Sequence, residues 1–203
     1  MSPDPATITR TAPLAFWRIA EAFLHLLTAL FGAPEHIAAR HSFTHRSYVR
    51  MMSWLRAGEA LLRRLLAIEA AAYAKPNTRA LLRSARKRTR RAAEFWPEKP
   101  QEWRVSFRCF ASATDRPRTR GGRGPSAERR FHDAWPAALR FEALIRAFND
   151  PQTYARRIAR RLHANIARLT CLLHAPDSYQ HRVDCAAAIT SAVHAAWPMP
   201  DSS

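Results

Sequence analysis

The chain has 203 residues and a formal net charge of +17, from 33 lysine and arginine residues against 16 aspartate and glutamate residues. Hydrophobic residues make up 47% of it, close to the average of globular proteins, which excludes a wholly disordered chain. Such a basic surplus favours an acidic partner: nucleic acid, an anionic membrane surface or an acidic protein. Because Lys75, Lys87 and Lys99 are the only lysines, arginine carries the surplus. GC-rich genomes also encode arginine-rich proteins, so the positions of the arginines are more informative than their number.

The cysteines and the N-terminus indicate a reducing compartment. Cys109, Cys171 and Cys185 are odd in number, which is not typical of a disulfide framework. The first residues lack the basic region of a signal peptide, and Arg18 and Glu21 interrupt the apolar run that follows. This interruption argues against a membrane span, and we expect a cytoplasmic protein.

The first predicted helix, 14–31, follows a polar stretch, 1–13, that we expect to be disordered. The polar residues of the helix fall in one narrow stripe when they are placed at 100° per residue, and the remaining surface is apolar. A helix of this composition should be buried nearly all round or lie in an interface.

The second predicted helix spans about 47–73 and ends before Pro76. Its apolar residues share one arc: Trp54, Leu55, Leu61, Leu62, Leu65, Leu66 and Ile68. Glu59, Arg63 and Arg64 fall outside this arc, which places them toward solvent. Glu69 falls within the arc, and we interpret it as a rim residue near the helix end rather than as a buried catalytic carboxylate.

The third predicted helix, about 78–96, contains the run RSARKRTRR and no acid between Lys75 and Arg91. Its arginines form a stripe opposite Leu81 and Trp96. Four like-charge pairs at i,i+4 follow, and they destabilise the helix by roughly 1–2 kcal/mol in total. A polyanion would relieve this repulsion and release counterions. The pairs are Arg79/Arg83, Arg83/Lys87, Arg86/Arg90 and Lys87/Arg91.

Between the two halves of the chain, residues 98–130 combine an extended segment with a basic linker. Apolar and polar residues alternate from Trp103 to Cys109, which is the periodicity of a strand. We expect an isolated extended segment there, or one side of a short hairpin. Residues 115–130 are rich in glycine, proline and arginine, which is typical of a flexible linker.

Three further helices are predicted over about 136–148, 151–173 and 183–197. Asp150 followed by Pro151 marks the start of the middle one. No acid occurs between Pro151 and Pro176, and like charges recur at i,i+4. These pairs are Arg156/Arg160 and Arg157/Arg161.

A metal site is one reading of Cys171-x2-His174 and His181-x3-Cys185, because four such ligands could bind zinc tetrahedrally. The gap of six residues between the two halves is short for opposed ligand pairs. We therefore favour a capping histidine with two small core cysteines, and we expect neither metal nor cofactor.

The sequence thus predicts an all-α protein of two helical lobes, 14–97 and 131–198. No phosphate-binding glycine loop, nucleophile elbow or paired-carboxylate motif is present, so we expect a non-catalytic binding or accessory protein. Its expected partner is nucleic acid, contacted at the phosphates without base specificity. The alternatives are a peripheral membrane protein and a scaffold for an acidic protein. The candidate contact residues are Arg79, Arg83, Arg86, Lys87, Arg90, Arg91, Arg157 and Arg161.

Overall fold

A computed structural model describes residues 11–75, 98–110 and 131–198. These residues are mostly helical with one two-stranded sheet, so the predicted all-α class is confirmed. The third predicted helix and the linker 115–130 lie outside the described residues. So do six of the candidate contact residues: Arg79, Arg83, Arg86, Lys87, Arg90 and Arg91.

The elements follow one another along the chain with short connections. The helices are α1 (Leu14–Phe31), α2 (Pro34–Ala39), α3 (His45–Ala71), α4 (Trp135–Asn149), α5 (Pro151–Ala164), α6 (Arg168–Leu173), α7 (Tyr179–Arg182) and α8 (Ala186–Ala196). A single 3-10 turn spans Pro100–Glu102. Strands β1 (Ser42–Thr44) and β2 (Phe131–Asp133) pair antiparallel, with Phe43 opposite His132. The sequence did not predict this ribbon, since three-residue strands are too short to show a period.

Two of the predicted C-terminal helices are broken in the structure. The helix expected over 151–173 ends at Ala164, because Asn165 adopts an extended backbone and its side chain accepts a hydrogen bond from the Ala167 N–H (3.0 Å). The helix expected over 183–197 begins only at Ala186, after a left-handed residue, Cys185 (φ 59°). Both breaks are local backbone events that apolar periodicity does not register.

Helix α3 lies at the centre of the fold. It packs against α1, α4, α5, α6, α7 and α8, and the buried hydrophobic residues form one cluster around it. At Gly58, an added Cβ would lie 2.8 Å from Phe23 Cε1 and 3.1 Å from Leu144 Cδ2, so glycine allows α1 and α4 to approach closely. Helix α3 therefore contacts helices from both predicted lobes, and the division into lobes 14–97 and 131–198 stays a prediction.

Three charged side chains of α3 are buried, although the sequence placed them toward solvent. Glu59, Arg63 and Arg64 are each less than a tenth exposed. Arg140 on α4 donates to both carboxylate oxygens of Glu59, at 2.7 and 2.6 Å, and Arg63 donates to Glu59 at 3.1 Å. The prediction was wrong because α3 is surrounded by other helices and residues 57–70 present no solvent face.

Arg64 is buried without a carboxylate partner among the described residues. Its Nε donates to the Thr190 hydroxyl (3.1 Å), Nη1 to the Ala60 carbonyl (3.0 Å) and Nη2 to the Leu173 carbonyl (2.6 Å). Its guanidinium also lies over the Tyr179 ring, 4.3 Å from the centroid. Burial lowers the pKa of Arg64, and Tyr179 works against that shift. One arginine thus ties α3 to α6, α7 and α8.

Glu69 anchors the start of the chain instead of lying at a rim. Its carboxylate accepts the backbone N–H groups of Thr11 (2.9 Å) and Ala12 (3.2 Å) and the indole Nε1–H of Trp17 (3.1 Å). Thr11 and Ala12 fall within the stretch 1–13 that was expected to be disordered. Because three donors converge on one buried carboxylate, the role of Glu69 is to hold the N-terminal end of α1 against α3.

Helix α1 is not buried all round. Only Trp17, Ala20, Phe23 and Leu27 are buried, while Leu14, Leu26 and Leu30 are exposed at 58%, 42% and 41%. By length and composition alone, the stretch 14–39 would be able to cross a membrane, even with Arg18 and Glu21 in it. Of the two expectations for this helix, near-complete burial is wrong for the described residues and an interface remains.

Replacing Glu69 with alanine tests this anchor. The variant should lower the free energy of unfolding by about 1–3 kcal/mol, because buried donors lose their acceptor. Denaturant unfolding followed by circular dichroism measures the change. Glu21→Ala, at an exposed position of α1, is the matched control and should stay within about 0.5 kcal/mol of the wild type. Equal stability of Glu69→Ala and Glu21→Ala would contradict the anchoring role.

Candidate functional site

The segment 103–110 forms one wall of the candidate site. Its side chains alternate as predicted: Trp103, Phe107 and Cys109 are buried, and Arg104 and Arg108 are exposed. Within the described ranges it pairs with no strand, since the one sheet consists of β1 and β2. It is an extended segment rather than part of a hairpin.

Arginine side chains, not a neighbouring strand, satisfy part of the backbone of this segment. Arg63 Nε donates to the Arg108 carbonyl (3.0 Å). Arg146 on α4 donates to the Trp103 carbonyl (2.9 Å) and to the Pro100 carbonyl (2.5 Å). Arg146 is itself held by Glu142 at 2.6 Å. The segment is therefore fixed against α3 and α4 at both ends.

Helix α5 forms the opposite wall because it is strongly amphipathic. Asp150 accepts the Thr153 N–H (3.3 Å) and Pro151 occupies the first turn, which starts the helix as predicted. The apolar face is buried, and it includes Ile158 and Leu162. The opposite face is exposed and carries a row of arginines. These are Arg156, Arg157, Arg160 and Arg161.

A pocket of about 450 Å³ lies between the two walls. Four arginines line it together with small, apolar and thiol side chains, and its lining contains no carboxylate. We call it the arginine pocket. Its lining residues are Ser106, Phe107, Arg108, Cys109, Phe110, Arg157, Arg160 and Arg161.

Two of the predicted contact residues, Arg157 and Arg161, thus lie together in the arginine pocket. Sequence reasoning did not include Arg108 or Arg160 among the contact residues. Arg160 lies three residues after Arg157 on the same helix, and Arg108 is an outward position of the alternating segment. The helical spacing was a usable signal for Arg160. The proximity of Arg108 to α5 depends on tertiary packing and had no local signal.

Aromatic rings support two of these guanidinium groups. Arg157 lies over Tyr154, with 5.1 Å between Cζ and the ring centroid, and Arg161 lies over Phe110 at 5.4 Å. Within the described ranges, no carboxylate lies within 4.0 Å of Arg157, Arg160 or Arg161. Cation–π contact with an aromatic face leaves the N–H edges of a guanidinium available to an anion.

Cys109 lines the arginine pocket but is a poor nucleophile. Burial raises the pKa of its thiol, and the charges of Arg157, Arg161 and Arg63 oppose that shift only in part. The thiolate is the reactive form of cysteine, and a raised pKa keeps the thiol protonated at neutral pH. The chemistry that the lining supports is the binding of an anion.

A second pocket, of about 390 Å³, lies on the α4 side of the same segment. It shares Arg108 with the arginine pocket and adds Arg104, Arg140 and Glu59. Because Glu59 already neutralises Arg140, this pocket is less suited to an anion than the arginine pocket is.

The four metal candidates are not brought together. In residues 11–75, 98–110 and 131–198, no three His, Cys, Asp or Glu side chains are placed to hold a metal ion. His174 is the C-cap of α6, in agreement with the capping interpretation. Cys171 and Cys185 are exposed, so their expected place in the core is wrong; α6 and the left-handed start of α8 turn both outward. His181 lies exposed on α7.

The chain matches no family model, no curated protein and no solved structure. Its function therefore has to be inferred from these residues themselves.

Proposed function

We propose that the protein binds the phosphate groups of nucleic acid, without reading the bases, through the arginine pocket. The observation that carries this proposal is the convergence of four arginines on a pocket whose lining contains no carboxylate. Arginine matches the geometry of a phosphate because its planar guanidinium can donate two parallel hydrogen bonds. In cells with this chemistry, we expect the protein to act in the cytoplasm.

Electrostatic repulsion within α5 supports the same proposal. Arg157 and Arg161 are a like-charge pair at i,i+4, and Arg156 and Arg160 are another. Each pair destabilises the helix by roughly 0.2–0.5 kcal/mol. A bound polyanion would remove this repulsion, and it would also release the counterions condensed on its own phosphates.

The lining of the arginine pocket favours positioning over chemistry. It contains no histidine or carboxylate that would act as a general base, and its thiol is held protonated. This supports a non-catalytic binding or accessory role. The basic helix predicted over 78–96 and the linker 115–130 would extend the same surface, which stays a prediction from the sequence.

Neutralising the pocket should weaken binding without weakening the fold. In the variant Arg157→Gln/Arg160→Gln/Arg161→Gln, log affinity for an oligonucleotide should fall less steeply with log salt, by about two to three units of slope. Unrelated sequences should be affected alike. Gln has a helix propensity near that of Arg, and like charges are removed, so the melting temperature should be unchanged or higher. Fluorescence anisotropy over a salt series measures the slope.

The matched control removes the same charge from exposed positions outside the pocket. Arg18→Gln/Arg56→Gln/Arg168→Gln should keep the wild-type slope to within about one unit, because these side chains do not converge on one site. Equal slopes for the pocket variant and the control variant would show that only net charge matters, and the proposed site would be lost.

A peripheral membrane protein is the second candidate, and the exposed leucines of α1 favour it. Leu14, Leu26 and Leu30 would insert their side chains at the boundary between headgroups and acyl chains. If arginine charge alone is involved, anionic liposomes should retain the protein weakly and neutral liposomes should not retain it. Sedimentation at physiological salt measures this. Strong pelleting with neutral liposomes, abolished by Leu26→Ser/Leu30→Ser, would favour the membrane role over nucleic acid.

A further inference from the structure

A second group of cationic and hydroxyl side chains lies away from the arginine pocket, where α7 meets the N-terminal half of α3. Arg182, at the end of α7, places its guanidinium over the Trp54 ring, with 4.6 Å between Cζ and the centroid. Its Nη1 donates to the Ser53 hydroxyl at 2.8 Å. These two contacts hold a half-buried guanidinium in one orientation on the surface of α3.

Arg182 has no counter-ion in the described part of the chain. Its sequence neighbours Asp177 and Asp184 are exposed, and neither lies within 4.0 Å of its guanidinium nitrogens. Burial lowers the pKa of Arg182, and the charge of Arg50 lowers it further. A second cation therefore stands beside the first, and nothing described neutralises either.

Several hydrogen-bond donors meet at this point. A guanidinium has five N–H donors, and the Ser53 hydroxyl receives one of those of Arg182. The hydroxyls of Ser53 and Ser178 lie 3.4 Å apart. Arg50 precedes Ser53 by three residues on α3, and residues at that spacing share one helix face. Two cations and two hydroxyls thus surround one small area of surface.

We propose that Arg50, Ser53, Ser178 and Arg182 hold a single phosphate group. A phosphate carries about −1.5 to −2 charges at neutral pH and three strong acceptor oxygens, so it would offset both guanidiniums and accept from both hydroxyls. A carboxylate carries one charge and would leave one cation uncompensated. The phosphate would come from a free phosphate ester or from a nucleic-acid backbone. This site does not depend on the arginine pocket.

Inorganic phosphate is the probe for this site. Isothermal titration of the full chain with phosphate, in chloride buffer at constant ionic strength, should show binding that the variant Arg50→Gln/Arg182→Gln weakens at least tenfold. The pocket variant Arg157→Gln/Arg160→Gln/Arg161→Gln should retain that binding, which separates this site from the proposed function. Unchanged phosphate affinity in Arg50→Gln/Arg182→Gln would overturn the proposal, and so would loss of phosphate binding in the pocket variant alone.

Two further arms complete the test. Because Arg182 packs on Trp54, its replacement is also a risk to folding, and Arg50→Gln at an exposed position is the variant that avoids this risk. Arg50→Gln alone should weaken phosphate binding severalfold with an unchanged melting temperature; no weakening would overturn the proposal. An oligonucleotide that displaces phosphate would identify the nucleic-acid backbone as the source. If only a phosphate ester displaces it, the source is a small molecule.

Discussion

The burial of charge along helix α3 is the constraint on which the rest of the structure depends. Residues 57–70 are buried without interruption, and four charged side chains enter the interior with them. A buried charge is tolerated only when it is paired or fully hydrogen-bonded, and removing one partner of such a pair costs about 3–5 kcal/mol. Each of the four is satisfied by a different part of the chain: Glu59 by α4, Arg63 by the segment 103–110, Arg64 by α6 and α8, and Glu69 by the start of α1.

This interior also shapes the surface. The buried acids are Glu59, Glu69 and Glu142, and each is bound to arginines or N–H groups within the fold. A chain with 16 acids and 33 basic residues therefore has few carboxylates left to pair with exposed arginines. The arginines of α5 and the pair Arg50 and Arg182 are left without carboxylate partners in the described chain. Buried arginines act as structural pins here, and exposed ones converge on sites that an anion would fill.

The sequence predicted the features that local periodicity controls. The all-α class, the bounds of α1, the start of α5 and the alternation in 103–109 could all be read from spacing and caps. It could not predict the burial of Arg63 and Arg64, because a helical wheel identifies polar residues and does not show how many neighbours surround the helix. Pairing of β1 with β2 and the approach of Arg108 to α5 join distant segments, so neither leaves a local pattern.

The thiol of Cys109 gives the most direct measurement, since it lines the arginine pocket while Cys171 and Cys185 are exposed elsewhere. Alkylation of each cysteine can be followed by peptide mass spectrometry with and without an oligonucleotide at low salt. If phosphates occupy the pocket, the rate at Cys109 should fall severalfold, the rates at Cys171 and Cys185 should not change, and high salt should remove the protection. Equal labelling of Cys109 with and without a bound oligonucleotide would contradict the proposal that this pocket is where nucleic acid binds.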